Sequence, residues 1–172
     1  MTNQLKNTIA IQARFMPNFA HLLCDDIAEE NFANRFSSTI NHPAFVLGHI
    51  LYYAGICVEM LGGKIEFDSD EAALFQMKVE CTDDAGSYPD KATLLERFEE
   101  RCNESAAFIE SCSDEVLEQS AKDTPFAGRF DTLGQVASFM LMGHPSFHLG
   151  QISAWRRPPF RQTPCQYHRR LH

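Results

Sequence analysis

Apolar side chains recur at intervals of three and four residues in four long stretches of the sequence, the pattern of helices with one buried face. The first stretch predicts a helix over 3–24, in which Pro17 either kinks the helix or marks its true start. Asp26 stands where an N-cap is expected for a short turn over 27–32. A polar linker over 34–41 follows and separates this region from the next helix.

The second helix is predicted to begin at Pro43, because proline is tolerated in the first turn, where its missing N–H costs no hydrogen bond. Asn41 or His42 can cap it, and the pair Gly62-Gly63 ends it. The helix is strongly apolar along its first half, which indicates a position inside the protein.

A long acidic connection over 64–90 then leads to the third helix, with one candidate short helix over 69–77. Asp90 is the expected cap of the third helix, which covers 91–112. Apolar positions alternate with charged ones along it, so one face is predicted to be buried and the other solvated. A short turn is expected from Ser113.

Thr132 and Gln135 form a capping-box pattern for the fourth helix, which continues to about Arg157 before Pro158-Pro159 ends it. Pro145 lies inside this helix and is expected to distort it by removing a backbone hydrogen bond. No alternating strand pattern competes with the helices. The predicted fold is therefore all-α, a four-helix bundle with a long connection between its second and third helices.

A chain of 172 residues with a formal charge of −8 fits one globular domain and disfavours non-specific binding to nucleic acid or to anionic membranes. We predict a bundle over 1–158 and a basic tail over 159–172. The acidic stretch over 66–84 and the arginines from Arg156 onward are interpreted first as solvated surface. A nucleic-acid-binding role for the tail is the less favoured alternative.

The N-terminus lacks the apolar run of a signal peptide, and no later stretch reaches the length expected of a membrane span, so a cytoplasmic location is predicted. The six cysteines contain no CxxC pair, which favours buried or idle thiols over disulfides.

The candidate chemistry lies in a histidine pair, His144 and His148, spaced four residues apart on the fourth helix. Such a spacing puts both imidazoles on one helix face, where they can reach one metal ion, although it also arises by chance on helix surfaces. His49, in the apolar second helix, is the best third ligand, because an imidazole without a partner is costly to bury. Gln151 lies on nearly the same stripe and could orient a bound water, a substrate or an imidazole.

Two segments of the sequence together resemble the DinB-like (DinB/YfiT) superfamily. One is Asn41-His42-Pro43-Ala44-Phe45-Val46-Leu47-Gly48-His49, and the other is Gly143-His144-Pro145-Ser146-Phe147-His148-Leu149-Gly150-Gln151-Ile152, followed by Trp155-Arg156-Arg157. The resemblance covers about 3–157. It implies a four-helix bundle that holds one divalent metal ion, nickel or zinc, through His49, His144 and His148.

The same resemblance implies a homodimer and a small-molecule substrate, since the superfamily includes transferases and isomerases that use a low-molecular-weight thiol as co-substrate. We therefore expect a metal-dependent thiol S-transferase or a hydrolase, with Gln151 near an open metal position. A non-catalytic metal-binding stress or interaction module is the alternative, because no carboxylate lies on the stripe from His144 to Gln151 to act as a general base.

Overall fold

A computed structural model describes residues 2–36 and 38–157 of the chain. Within these residues it contains eight α-helices and no strand: α1 (Thr2–Cys24), α2 (Glu29–Phe32), α3 (Pro43–Met60), α4 (Glu71–Phe75), α5 (Lys91–Ser111), α6 (Asp114–Leu117), α7 (Leu133–Ser138) and α8 (His144–Trp155). The bundle consists of α1, α3, α5 and a fourth helical rod made of α7 and α8. The predicted tail over 159–172 lies outside the described residues, so its boundary stays a prediction.

The first helix confirms the predicted span but excludes Pro17 as its start, since α1 runs continuously through that residue. The prediction that Asp26 caps the following turn is wrong. Ala28 precedes α2 and no side chain caps it, whereas Asp26 forms a bidentate ion pair with Arg156 at 2.5 and 2.6 Å. Arg156 is buried at the end of α8 and also donates to the Leu23 carbonyl, so Asp26 ties the end of the fourth rod to α1.

The second bundle helix, α3, is capped by His42, which is fully buried. Its Nδ1 accepts the Phe45 N–H at 3.2 Å, and this leaves Nε2 to donate to the Thr82 carbonyl at 2.8 Å. Among the described helices, only α3 is long and apolar enough to cross a membrane by length and composition, contrary to the sequence-based expectation. It is 67% buried within the bundle, as a core helix is.

The connection between α3 and α5 is anchored to the bundle by its one α-helix, α4. Glu71, at the start of α4, is buried and pairs with Arg97 of α5, which also bonds the Asp68 carboxylate at 2.6 Å. The acidic stretch is therefore not only solvated surface, because Glu71 is 1% exposed and joins the connection to α5. Asp90 caps α5 as predicted, accepting the Thr93 N–H at 2.8 Å.

The fourth rod begins at the predicted cap, with the Thr132 hydroxyl accepting the Gln135 N–H at 3.3 Å. The capping box is only half formed, because the Gln135 side chain accepts the Asp131 N–H at 2.8 Å and not that of Thr132. The rod is not one regular helix, because Phe139–Gly143 forms a π-helical turn between α7 and α8. The His144 N–H donates to the Phe139 carbonyl, five residues back. Pro145 follows at once, and the wider turn relieves the clash that a proline ring makes with the preceding α-helical turn. The predicted distortion is confirmed.

The packing order of the bundle places α3 beside α8. α1 packs against α5 and α8, while α3 packs against α5, α4 and α8. The core contains large apolar side chains from all four rods, among them Ile9, Leu47, Leu94 and Ile152. The described cysteines are free and buried, namely Cys24, Cys57, Cys81, Cys102 and Cys112. This agrees with the expected idle thiols.

Candidate metal centre

Three histidines from two facing helices meet at one point of the bundle. One nitrogen from each of His49, His144 and His148 lies within 4.8 Å of the other two. Their ring centroids are 5.2 Å apart for His49 and His144, 4.6 Å for His49 and His148, and 4.4 Å for His144 and His148. Each ring is partly buried. The helical spacing of the pair and the packing of α3 on α8 together bring them into one cluster.

His49 is held in a fixed orientation by its neighbours on α3 and α4. Its Nδ1 donates to the Phe75 carbonyl at 2.8 Å, and its ring stacks on Phe45 with a centroid distance of 6.0 Å and an interplanar angle of 16°. Because Nδ1 carries the proton in this contact, Nε2 has a free lone pair. That tautomer is the one a metal-binding imidazole needs.

His148 has a comparable partner, since Gln151 Oε1 lies 3.1 Å from its Nδ1. With Nδ1 as the donor, His148 also keeps its Nε2 lone pair free. His144 differs, because its buried Nδ1 receives no hydrogen bond from any residue in the described part of the chain. A buried nitrogen without a partner is uncommon in proteins and is satisfied when an ion or a ligand binds to it. The cluster therefore fits a divalent ion.

The three imidazoles are neutral at physiological pH because burial disfavours their charged form. Burial, together with a smaller contribution from the neighbouring imidazoles, lowers the pKa of His49 to about 4 and that of His144 to about 3. It also lowers the pKa of His148. Neutral imidazoles have free lone pairs, so the cluster can bind a metal ion without first losing a proton.

The sequence matches one family model, described as the DinB superfamily, over residues 14–152. The chain belongs to the DinB superfamily. No curated protein and no solved structure gives a significant match. The resemblance inferred from the two histidine motifs is thereby confirmed, and the helical bundle is the fold of this superfamily.

Both DinB motifs contribute to the cluster, whereas two other histidines of the described chain do not. His42 caps α3, and His21 lies on α1 beside Asp25, 2.9 Å away. Gln151 contacts the cluster through His148 and does not line the cavity that opens beside the three histidines. Its predicted place near an open metal position therefore stays a prediction.

A cavity of about 550 Å³ opens beside the three histidines of this DinB bundle, within the usual size range of small-molecule pockets. Its walls are mainly apolar and aromatic, and include Phe45, Tyr53, Met60, Phe126 and Phe139. Among the described residues, its lining contains no carboxylate and no cysteine. The cluster can thus meet a small molecule in a largely apolar environment.

Sequence reasoning missed the residues that surround the histidines from the connecting segments. Phe75 supplies a backbone carbonyl, which no side-chain pattern reveals. Tyr53 was detectable, because it follows His49 by four residues on α3. Its ring lies 4.8 Å from that of His49 and 5.6 Å from that of His144. Lys78 and Arg129 line the cavity from two loops whose positions depend on the tertiary fold.

Proposed function

We propose that this protein is a metal-dependent thiol S-transferase, in which His49, His144 and His148 hold one nickel or zinc ion. The observation that carries the proposal is the cluster of three neutral imidazoles open to a cavity whose described lining has no carboxylate. When bound, a divalent ion supplies a Lewis-acidic centre that favours the deprotonated form of a coordinated thiol or water. The residues of the chain bind and orient the reacting molecules and exclude water from them.

The described residues that line the cavity include no carboxylate, which favours a thiol over water as the nucleophile. Without a side-chain base, only the bound ion lowers the pKa of the nucleophile, and a thiol starts from a pKa of about 8.5 whereas water starts from about 15.7. A hydrolase is the alternative to the thiol S-transferase in this proposal.

The protein's described thiols are unsuitable as the nucleophile, which favours a thiol from a second substrate. Burial raises the pKa of Cys24, Cys57 and Cys102 to about 12, so they are not thiolates near neutral pH. None of the described cysteines lines the cavity. A low-molecular-weight thiol as co-substrate therefore supports the proposed reaction best.

Tyr53 is the side chain best placed to donate a hydrogen bond to a reacting molecule. Its hydroxyl oxygen accepts the Met77 N–H at 2.8 Å, and no described residue accepts the hydroxyl proton. The hydroxyl belongs to a residue that lines the cavity beside His49. We propose that it stabilises negative charge that develops on the electrophile.

Tyr53→Phe is expected to lower kcat by about 100- to 1000-fold, the range seen when one such donor is removed, while metal content stays unchanged. The matched control is Tyr52→Phe, because Tyr52 precedes Tyr53 on α3, packs against Phe67 and does not line the cavity. Steady-state kinetics of both variants measure the effect. Equal activity of the two variants would remove Tyr53 from the mechanism.

Purified protein is expected to contain one divalent ion per chain and to conjugate a thiol such as glutathione to chlorodinitrobenzene. Removal of the ion with a chelator should abolish turnover, and added nickel or zinc should restore it. Elemental analysis and absorbance at the product band measure the two quantities. Full activity after chelation contradicts the proposal, and inertness toward all thiols and esters with metal bound favours a non-catalytic binding module.

The homodimer and the cytoplasmic location stay predictions.

A further inference from the structure

The cavity beside the three histidines differs in charge from the rest of the protein. The chain has 23 acidic and 15 basic residues, yet the described lining of the cavity includes two cations, Lys78 and Arg129, and no carboxylate. Neither cation has an ion-pair partner among the described residues, whereas Arg14, Arg35 and Arg97 are all paired with carboxylates. An unpaired positive charge beside an apolar wall attracts an anion from solution.

The two cations lie on separate loops that border the cavity. Lys78 follows α4, and Arg129 precedes α7. The Arg129 loop is folded back on itself, with the Arg129 N–H donating to the Phe126 carbonyl at 2.9 Å and Gly128 at a φ of 75°. Phe126 in turn packs on Phe139, which packs on His144, at centroid distances of 5.9 and 6.1 Å. Arg129 is therefore carried by a structured loop that packs on Phe139, which in turn contacts the histidine cluster.

Lys78 has an unusual backbone for a lysine. Its φ is 77°, in the left-handed region that glycine and asparagine adopt more easily. The turn is fixed on both sides, since the Met77 N–H donates to the Tyr53 hydroxyl and the Val79 N–H donates to the Gln76 carbonyl at 3.2 Å. A residue held in such a conformation at a cavity points to a functional role for its side chain.

We infer that Lys78 and Arg129 form an anion-binding subsite, so that the cavity takes amphipathic anions whose carboxylate lies between these cations and whose apolar body reaches toward the histidines. A guanidinium binds a carboxylate through two parallel N–H donors, and an ammonium adds a point charge. The apolar walls bury the remainder of the ligand. This inference extends the proposed function by giving the substrate class, but its binding test does not depend on turnover.

The test compares octanoate, octanol and octylammonium by isothermal titration calorimetry on chelator-treated protein, so that no metal ion contributes to carboxylate binding. Octanoate is expected to bind about 2- to 30-fold more tightly than octanol, because Lys78 and Arg129 are exposed and each ion pair contributes about 1.4- to 5-fold. Octylammonium is expected to bind more weakly than octanol. Acetate, which has the charge without the apolar body, should not bind measurably.

The double variant Lys78→Asn and Arg129→Gln is expected to lose about tenfold in octanoate affinity and to keep its octanol affinity. Asparagine is chosen at position 78 because it tolerates the left-handed backbone. The control is Lys64→Gln, which removes an exposed lysine that lines a different, polar groove. Melting curves of all variants establish that the bundle is intact.

Equal affinities for octanoate and octanol overturn the inference, as do an unchanged octanoate affinity in the double variant and the absence of binding by both ligands. Selective octanoate binding without any thiol transfer in the metal-loaded protein would retain the subsite and reject the proposed reaction. Thiol transfer without octanoate selectivity would retain the proposed reaction and reject the subsite.

Discussion

His148→Ala is expected to abolish metal binding and thiol transfer together. The change removes one of three imidazoles and leaves two, whose nitrogens cannot replace it. Loss of partners that only orient metal ligands costs about 10- to 100-fold in affinity, so loss of a ligand should exceed about 100-fold. Elemental analysis after dialysis measures metal content, and a thermal shift on adding zinc measures binding. For the unaltered protein, zinc at about a hundred times its Kd should add about 2.7 kcal/mol to the free energy of unfolding.

Two further variants make this experiment specific. His21→Ala removes a half-exposed histidine beside Asp25 on α1, outside the cluster, and should retain metal and activity. Gln151→Ala retains all three imidazoles but removes the acceptor of the His148 Nδ1 proton, and should weaken metal binding by about tenfold. Undiminished zinc binding by His148→Ala would reject the three-histidine site.

Gly48→Ala is expected to destabilise the protein by about 1–3 kcal/mol and to weaken metal binding. A Cβ atom at this position would overlap the ring of Phe75, which is 1% exposed and packed in the apolar core. Since the carbonyl of Phe75 accepts the His49 Nδ1 proton, a displaced Phe75 also releases the imidazole. The glycine of the Leu47-Gly48-His49 motif thus connects close packing with ligand orientation.

The matched control is Gly150→Ala, in a helix of the same bundle. A Cβ atom there meets nothing within 4 Å, so the change should stabilise the helix by about 0.5–1 kcal/mol through backbone propensity alone. Chemical denaturation of both variants, with and without zinc, separates the two effects. The steric explanation fails if Gly48→Ala is as stable as Gly150→Ala.

The bundle was predictable because it depends on local helical spacing, and the histidine cluster was predictable in part for the same reason. His144 and His148 are four residues apart and His49 is a polar residue in an apolar helix, so the pattern selects them as candidates. The resemblance to the DinB-like superfamily joined the three into one site. Asp26 shows the limit of such reasoning, since a cap and an ion-pair partner look alike in sequence and only the packing of α8 on α1 brings Arg156 to it.

The surroundings of the site were less predictable, because they come from loops and from backbone atoms. Phe75 contributes a carbonyl, and its position depends on the attachment of α4 through the buried Glu71 to Arg97. Lys78 and Arg129 are far apart in sequence and share no pattern that would place them at one cavity. The net charge gave no indication of these two cations either, since an excess of acidic residues over the whole chain does not exclude a local positive region.

The π-helical turn at 139–143 also has a consequence for how the fourth rod can change during evolution. A π turn accommodates one residue more than an α-helix would over the same turn, so residues before and after it differ in angular phase by up to about 100°. The apolar face of α7 and the histidine face of α8 therefore need not follow one continuous repeat of apolar positions. Each half can be adjusted to its own neighbours, and the ligand pair is not tied to the packing requirements of the segment that precedes it.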